Sequence, residues 1–367
     1  MKSMTMRGRA SLTGGTRRFE DGIVAAPMYR VVPLLLRWLR LMQRRWSVAA
    51  VVPALLLAGV MVFSTALYAV VPAPKNFVLI RGGEFTMGSP ESEVGRDVAK
   101  AVYKQFGIDY SETQHQVRLS DFYMSKYAVT VSEFRSFVEA TGYRTDAEKG
   151  GFSFIVIDGQ AKKGEGVNWR YGVSGSVRPE SEANHPVVHV SWNDAVAYGE
   201  WMSKKSGKTY RLPTEAEREY ACRARTTTPF NTGNNLTTDQ ANYDGNYPYN
   251  GNPKGVYRQN TVPVNSFTPN AWGLYTMHGN VLEWCSDRFG GLYYDECKAS
   301  GTVTNPAGPV TGSIRVLRGG SWNNPAGRCR SADRRRGTPW PPPQRCWLPP
   351  CVRPVVSWLF IPALLLS

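Results

Sequence analysis

Helical periodicity stops near residue 225 and does not return before about residue 312, where Asn, Gly, Pro and Thr dominate instead. Such a span forms long ordered loops with short strands, which rules out a helical bundle. A loop-rich region buries little apolar surface per residue, so it needs staples: metals, disulfides or large buried aromatics. The composition offers the last of these, with 12% aromatic residues beside 35 Gly and 25 Pro. At 42% hydrophobic and 20% charged, the chain can bury a core and is not disordered. The expectation from the residues alone is a loop-rich fold pinned by large side chains.

Residues 76–340 read as one domain, because no Ser, Gly or charge run divides them and no internal repeat appears. The opening NFVLIRGGEFTMGS predicts two short strands around Gly82-Gly83. HQVRLSDFYMSKYAVT continues with alternating apolar positions, as a half-buried strand does. Three capping boxes predict helices. Thr130 and Glu133 start one that stops at Gly142, Ser191 and Asp194 start a second running to about Lys205, and Thr214 and Glu217 start a third through Tyr220 and Cys222.

The N-terminal part is of another kind. Residues 47–71, SVAAVVPALLLAGVMVFSTALYAVV, carry no charge, and 25 residues at the helical rise span a bilayer core. The preceding segment 1–46 holds ten basic residues against Glu20 and Asp21, with Arg44 and Arg45 next to the apolar run. The positive-inside rule makes 1–46 cytoplasmic, 47–71 a transmembrane anchor in the inner or plasma membrane, and the rest periplasmic or extracellular. A cleaved signal peptide fits less well, because both the apolar run and its lead are too long. About +8 of the formal net +15 lies in those 46 residues, beside the apolar run and off the folded domain. Nucleic acid is therefore not expected as a partner.

Six cysteines, Cys222, Cys285, Cys297, Cys329, Cys346 and Cys351, suit an oxidising compartment. None forms a C-x-x-C pair and the four histidines are scattered, so no zinc site is expected. Cys285 and Cys297 flank a loop of eleven residues, a spacing that admits a local bridge. His185 and His189 read as structural, and His278 as ordering its turn. The run Arg334-Arg335-Arg336 reads as a solvated edge, with an acidic-ligand or lipid-headgroup site as the sharper alternative.

Five blocks occur in order: GGEFTMGS, PVVHVSWNDAVAYGEWMS, YRLPTEAEREYACRA, NAWGLYTMHGNVLEWCSD and RVLRGGSWNNPAGRCRSADRRRGTP. Together they resemble the formylglycine-generating enzyme family, also called sulfatase-modifying factors, over roughly residues 76–340. The resemblance implies an α+β, C-type-lectin-like fold with little regular secondary structure. Active members oxidise a sulfatase cysteine to Cα-formylglycine with oxygen and a copper ion. Copper(I) is held there by two thiolates, in keeping with its softness. Those cysteines lie five residues apart, shortly after a Gly-Gly-Ser turn, here Gly319-Gly320-Ser321. The first falls at Asn324, which is not a thiol, and counting forward the second falls on Cys329. Counting back from Thr338-Pro339, Cys329 instead precedes the strand CRSADR, and the active loop is three residues short. The second alignment is preferred because it keeps Arg330 and Arg334 in register. In both, one copper thiol is missing.

The resemblance also implies structural calcium. Matching ligands are the Gly279 and Val281 carbonyls and the Glu283 carboxylate in MHGNVLEW, hard oxygens of the kind calcium takes. Thr276 replaces the acidic or amide residue usual at the start of this motif. A second set would use Asn242 and the Tyr243 carbonyl, with no obvious carboxylate near Lys254. The alternative is a metal-free buried turn, with Trp284 in the core and Asn280 bonded to backbone. Cys222 resembles a family cysteine that bridges to the strand near Cys329; two buried free thiols are the alternative. Arg218 stands where the family has Trp, and Arg225 where it has Gly. An arginine replacing a core indole either snorkels outward or costs several kcal/mol.

The family closes on a strand bearing Gly-Phe-Arg-Leu. Here Pro339 leads into WPPPQRCWLPPCVRPVVSWLF, and consecutive prolines cannot donate ladder hydrogen bonds. Reading codons from their second base allows Gly-Phe-Arg-Leu to begin at Trp347, the expected spacing. Residues 341–367 are thus expected to be an aberrant frameshift product that leaves an open sheet edge. The functional expectation is a membrane-tethered, non-catalytic binding or maturation module with a peptide, glycan or protein ligand. The alternative is a formylglycine-generating oxidase with Cys329 as its remaining catalytic thiol.

Overall fold

The computed structural model describes residues 75–96, 111–157 and 159–340, together with the backbone of 355–356 and 359–360. The basic segment 1–46, the expected anchor 47–71 and most of the tail 341–367 lie outside the described residues. Among the described residues no helix is long and apolar enough to cross a membrane.

Strands β1 (Phe77–Ile80) and β2 (Gly83–Met87) form as the opening motif predicts, but they do not pair with each other. Gly82 explains why. A Cβ there would lie 2.2 Å from the Leu119 carbonyl oxygen, so the chain crosses in contact with the next turn. β2 therefore pairs antiparallel with β3 (His115–Leu119), and β1 with β4 (Phe122–Ser125). On β3, His115, Val117 and Leu119 are buried while Gln116 and Arg118 are exposed, the alternation seen in the sequence.

The three predicted helices form. Helix α1 (Val131–Thr141) opens on the Thr130–Glu133 capping box and closes on Gly142 at φ 65°. A fourth box, Thr145 with Glu148, opens the five-residue α2 (Asp146–Gly150), too short to show periodicity. It leads into the hairpin of β5 (Phe152–Ile157) and β6 (Gln160–Glu165). Helix α3 (Trp192–Ser206) follows Ser191 and Asp194. After β7 (Tyr210–Arg211), α4 (Glu215–Arg223) follows Thr214 and Glu217. Beyond it the chain is mostly loop, as expected, with β8 (Glu283–Arg288). One departure is the seven-residue α5 (Tyr293–Ala299), which buries Tyr294 and Cys297. β9 (Val303–Thr304), β10 (Arg315–Arg318) and β11 (Arg334–Gly337) complete the domain.

Sequential strands rarely neighbour each other in the two larger sheets. One runs β11-β10-β8-β12, with β12 at Val355–Val356, and the other β1-β4-β13-β7, with β13 at Leu359–Phe360. The expected open edge is therefore not found: β13 pairs antiparallel with both β4 and β7. The segment VVSWLF that supplies these strands lies beyond the prolines, so its backbone can donate to a ladder. The main core packs α1 and α3 around Phe134, Phe137, Trp169, Tyr198 and Trp284. Phe134 stacks on Tyr198 at 5.9 Å, so aromatics do the stapling that the loops require.

Candidate functional site

Helix α4 is buried along all nine residues, although EAEREYACR is mostly charged. Charge inside a core persists only when it is paired and hydrogen-bonded. Glu217 forms a two-pronged pair with Arg211, at 2.9 and 3.0 Å. Glu215 does the same with Arg334, at 2.7 and 2.9 Å. Glu219 accepts from Arg223, from Arg318 and from the Gly88 amide. Arg223 also donates to the Gly88 carbonyl, so α4 grips the end of β2 from both sides.

The basic run thus differs from the solvated edge expected. Arg334 is fully buried and Arg335 nearly so, and Arg335 donates to Asp333 at 3.1 Å. Arg330 is buried as well, between Glu93 at 2.5 Å and Glu112 at 2.8 Å. The partner acids Glu93, Glu112 and Glu215 carry no local signal, because they lie far from their arginines in the chain; Glu219 has Arg223 four residues on, but its pairing with Arg318 is equally distant.

The loop that would hold copper begins at Gly319 and Gly320, with φ 99° and 74°. A Cβ on Gly320 would meet Cys329 Sγ at 2.5 Å, so the turn folds directly onto the 3-10 turn Ala326–Cys329. Cys329 is fully buried; burial, then the nearby Asp333, push its thiol well up, and it stays protonated. Asn324 presents an amide, and its Oδ1 is buried without a partner. Trp322 stacks on Tyr257 at 5.9 Å, and its indole N–H is likewise unpaired. These residues do not fit copper: one protonated thiol and one amide are not a two-thiolate site.

Neither expected disulfide forms. Cys222, Cys285, Cys297 and Cys329 are all free and buried. Cys222 Sγ sits 3.6 Å from the Ser331 hydroxyl and 3.7 Å from His278 Nε2. His278 orders its turn as predicted, donating from Nδ1 to the Cys329 carbonyl at 2.7 Å and accepting the Asn231 amide N–H at Nε2. Burial pushes the thiols of Cys285, on β8, and Cys297, on α5, up, and the Glu215 carboxylate adds to the effect at both. His189 is fixed by Ser153 and the Gly172 carbonyl, and His185 by Thr261, both structural as expected.

The calcium residues are brought together as a buried turn. Gly279 donates to the Gly319 carbonyl at 2.7 Å, and Asn280 donates to the Asn242 carbonyl. The Asn280 side chain bonds the Val262 backbone both ways, and Trp284 is fully buried. Glu283, however, offers no uncommitted carboxylate. Both of its oxygens accept from Arg218, at 2.8 and 3.1 Å. Arg218 neither snorkels nor stays unpaired. The second set fits no better: Asn242 Oδ1 is a buried acceptor without a partner, but Lys254 is exposed and cationic. No group of three or more His, Cys, Asp or Glu side chains among the described residues could hold a metal. A polar cleft of about 380 Å³ opens elsewhere, lined by Asn76, Ser125, Tyr127, Thr130, Asn184 and Asn265.

Comparison with known proteins places the chain. A family model described as sulfatase-modifying factor enzyme 1-like domain matches residues 66–345, and the chain belongs to that family. A formylglycine-generating enzyme of Streptomyces coelicolor is 39% identical over 286 residues, covering 71% of this chain and 84% of that protein. An inactive Cα-formylglycine-generating enzyme 2 of Bos taurus is 33% identical over 273 residues, covering 67% and 76%. Among solved structures, PvdO from Pseudomonas aeruginosa superposes with a TM-score of 0.54 at 27% identity, covering 77% of this chain and 93% of that one. The relatives thus include both a formylglycine-generating enzyme and a protein named as inactive.

Proposed function

We propose that this chain is a membrane-anchored, extracytoplasmic member of the family that binds a ligand and does not oxidise one: a non-catalytic binding or maturation module. The observation that carries this reading is the Asn324 amide where a copper thiolate is needed, beside a buried, protonated Cys329. Oxidation of a substrate cysteine by oxygen needs a redox-active site, and a lone protonated thiol does not make one. The named inactivity of the bovine relative supports the same view. The unpaired Trp322 N–H and Asn324 Oδ1 are a donor and an acceptor that a bound polar group would satisfy, and the amide-lined cleft has the chemistry of peptide or glycan recognition. The uncharged run 47–71 beside Arg44 and Arg45 supports an anchored domain on the periplasmic or extracellular side.

The second reading is the oxidase, favoured by 39% identity to a formylglycine-generating enzyme. The two separate in one assay. The full chain in detergent is incubated with copper(I), oxygen and a Cys-x-Pro-x-Arg peptide, and aldehyde is captured with a hydrazide. The expected result is no aldehyde and no stoichiometric copper. Aldehyde formation that C329S abolishes would establish the oxidase.

A further inference from the structure

The disagreement between Glu283 and calcium is itself informative. In the structure the guanidinium of Arg218 stands on the donor set that the family resemblance assigns to a metal. Its Nε and Nη2 bind both Glu283 oxygens, and Nη2 also donates to the Met277 carbonyl at 3.0 Å. The two side chains are only 2% and 4% exposed, so water does not share in neutralising the carboxylate. The geometry also ties the pair to the neighbouring loop. A Cβ on Gly319 would lie 3.0 Å from Arg218 Nη2, with the Met277 and Val281 carbonyls next nearest at 3.7 Å.

We infer that Arg218 is the built-in cation of the 276–283 turn, doing in this chain the electrostatic work of a bound calcium. A buried carboxylate needs one compensating charge. Arg218 provides it as a planar fork matched to Glu283, with a further N–H for a backbone carbonyl. A calcium ion entering the set would have to displace the guanidinium and leave it buried and unpaired. Thr276, in place of the usual acid or amide, fits the same conclusion, since its neutral hydroxyl is a weaker cation ligand than a carboxylate or amide oxygen. The turn is consequently organised without metal. Through the Gly279–Gly319 hydrogen bond, so is the loop leading to Asn324 and Cys329.

The test is thermal unfolding of the full chain in detergent, in millimolar calcium and in excess EGTA. Wild type should melt at the same temperature in both. R218M keeps the side-chain bulk and removes the charge. It should melt lower in EGTA by roughly 5–15 °C, and calcium should restore part of that loss. A wild-type melting temperature that drops in EGTA overturns the inference, and so does an R218M chain as stable as wild type without calcium. If R218M does not accumulate, R218K, which retains a cation, should fold and remain indifferent to calcium. Calcium dependence in R218K overturns the inference equally.

Discussion

Asp287 shows how the buried charge network responds to its surroundings. It lies on β8, accepts the Glu215 amide N–H at 2.9 Å, and takes the Ser286 hydroxyl at 3.1 Å. Unlike its neighbours it has no arginine of its own. Burial, then the Glu215 carboxylate, push it up to about 7. An unfolded aspartate titrates near about 3.9. Between those values the folded chain holds a proton that the unfolded chain has released, so stability falls as pH rises through that window and levels off above it. Asp194, pushed up to about 6 mainly by burial, acts in the same direction. The variant D287N keeps an acceptor for the Glu215 amide and removes the charge. Its melting temperature should exceed that of wild type most near about pH 8, and the excess should shrink as pH falls to about 4. An equal offset at both pH values would show that Asp287 does not titrate in this range. Glu215, by contrast, is held low by Arg334 and Arg318 despite its burial.

At the level of elements, the capping boxes are the firmest local rule in this chain. Thr145 caps α2, its Oγ1 accepting the Glu148 amide at 3.2 Å while Glu148 reaches back to the Thr145 amide. With only five residues, α2 relies on that exchange, so T145A should cost about 1 kcal/mol, read as a melting temperature lower by about 2–4 °C. No change would mean that packing alone holds α2. The three longer helices were legible in the sequence because each opens on a capping box, and the first also shows its apolar face and its Gly142 stop within one short window. Helix α2 carried the same start signal but too few turns for a face to show. The ionic core was not legible. Arg334-Arg335-Arg336 looks solvated in isolation, and only a fold that brings Glu215 to Arg334 reveals the strand as buried. The candidate site divides the same way. The missing thiol at Asn324 was readable from the Gly-Gly-Ser spacing. The capture of Glu283 by Arg218 joins residues on two separate elements, and the sequence marks it only as an arginine where the family has Trp.

Across the whole molecule, the sheets tie the two ends of the domain together. β13 lies between β4 and β7, and β12 lies alongside β8. Ending the chain after residue 353 would remove β12 from β8 and β13 from β4 and β7, and bare polar backbone. The expected result is a lower melting temperature and increased light scattering on storage. A truncated chain that behaves as wild type would show that β12 and β13 contribute nothing to the fold.

The buried pairs set an order of assembly during synthesis. Glu93 waits for Arg330, which follows it by 237 positions, and Glu112 waits across 218 for the same residue. Glu215 then waits across 119 for Arg334. A nascent chain leaving the ribosome therefore carries these acids as ordinary hydrated carboxylates until residue 334 has emerged. Nearly the whole domain is made before its centre can close, so a stalled or prematurely ended chain would hold a set of acids whose arginines had never been translated.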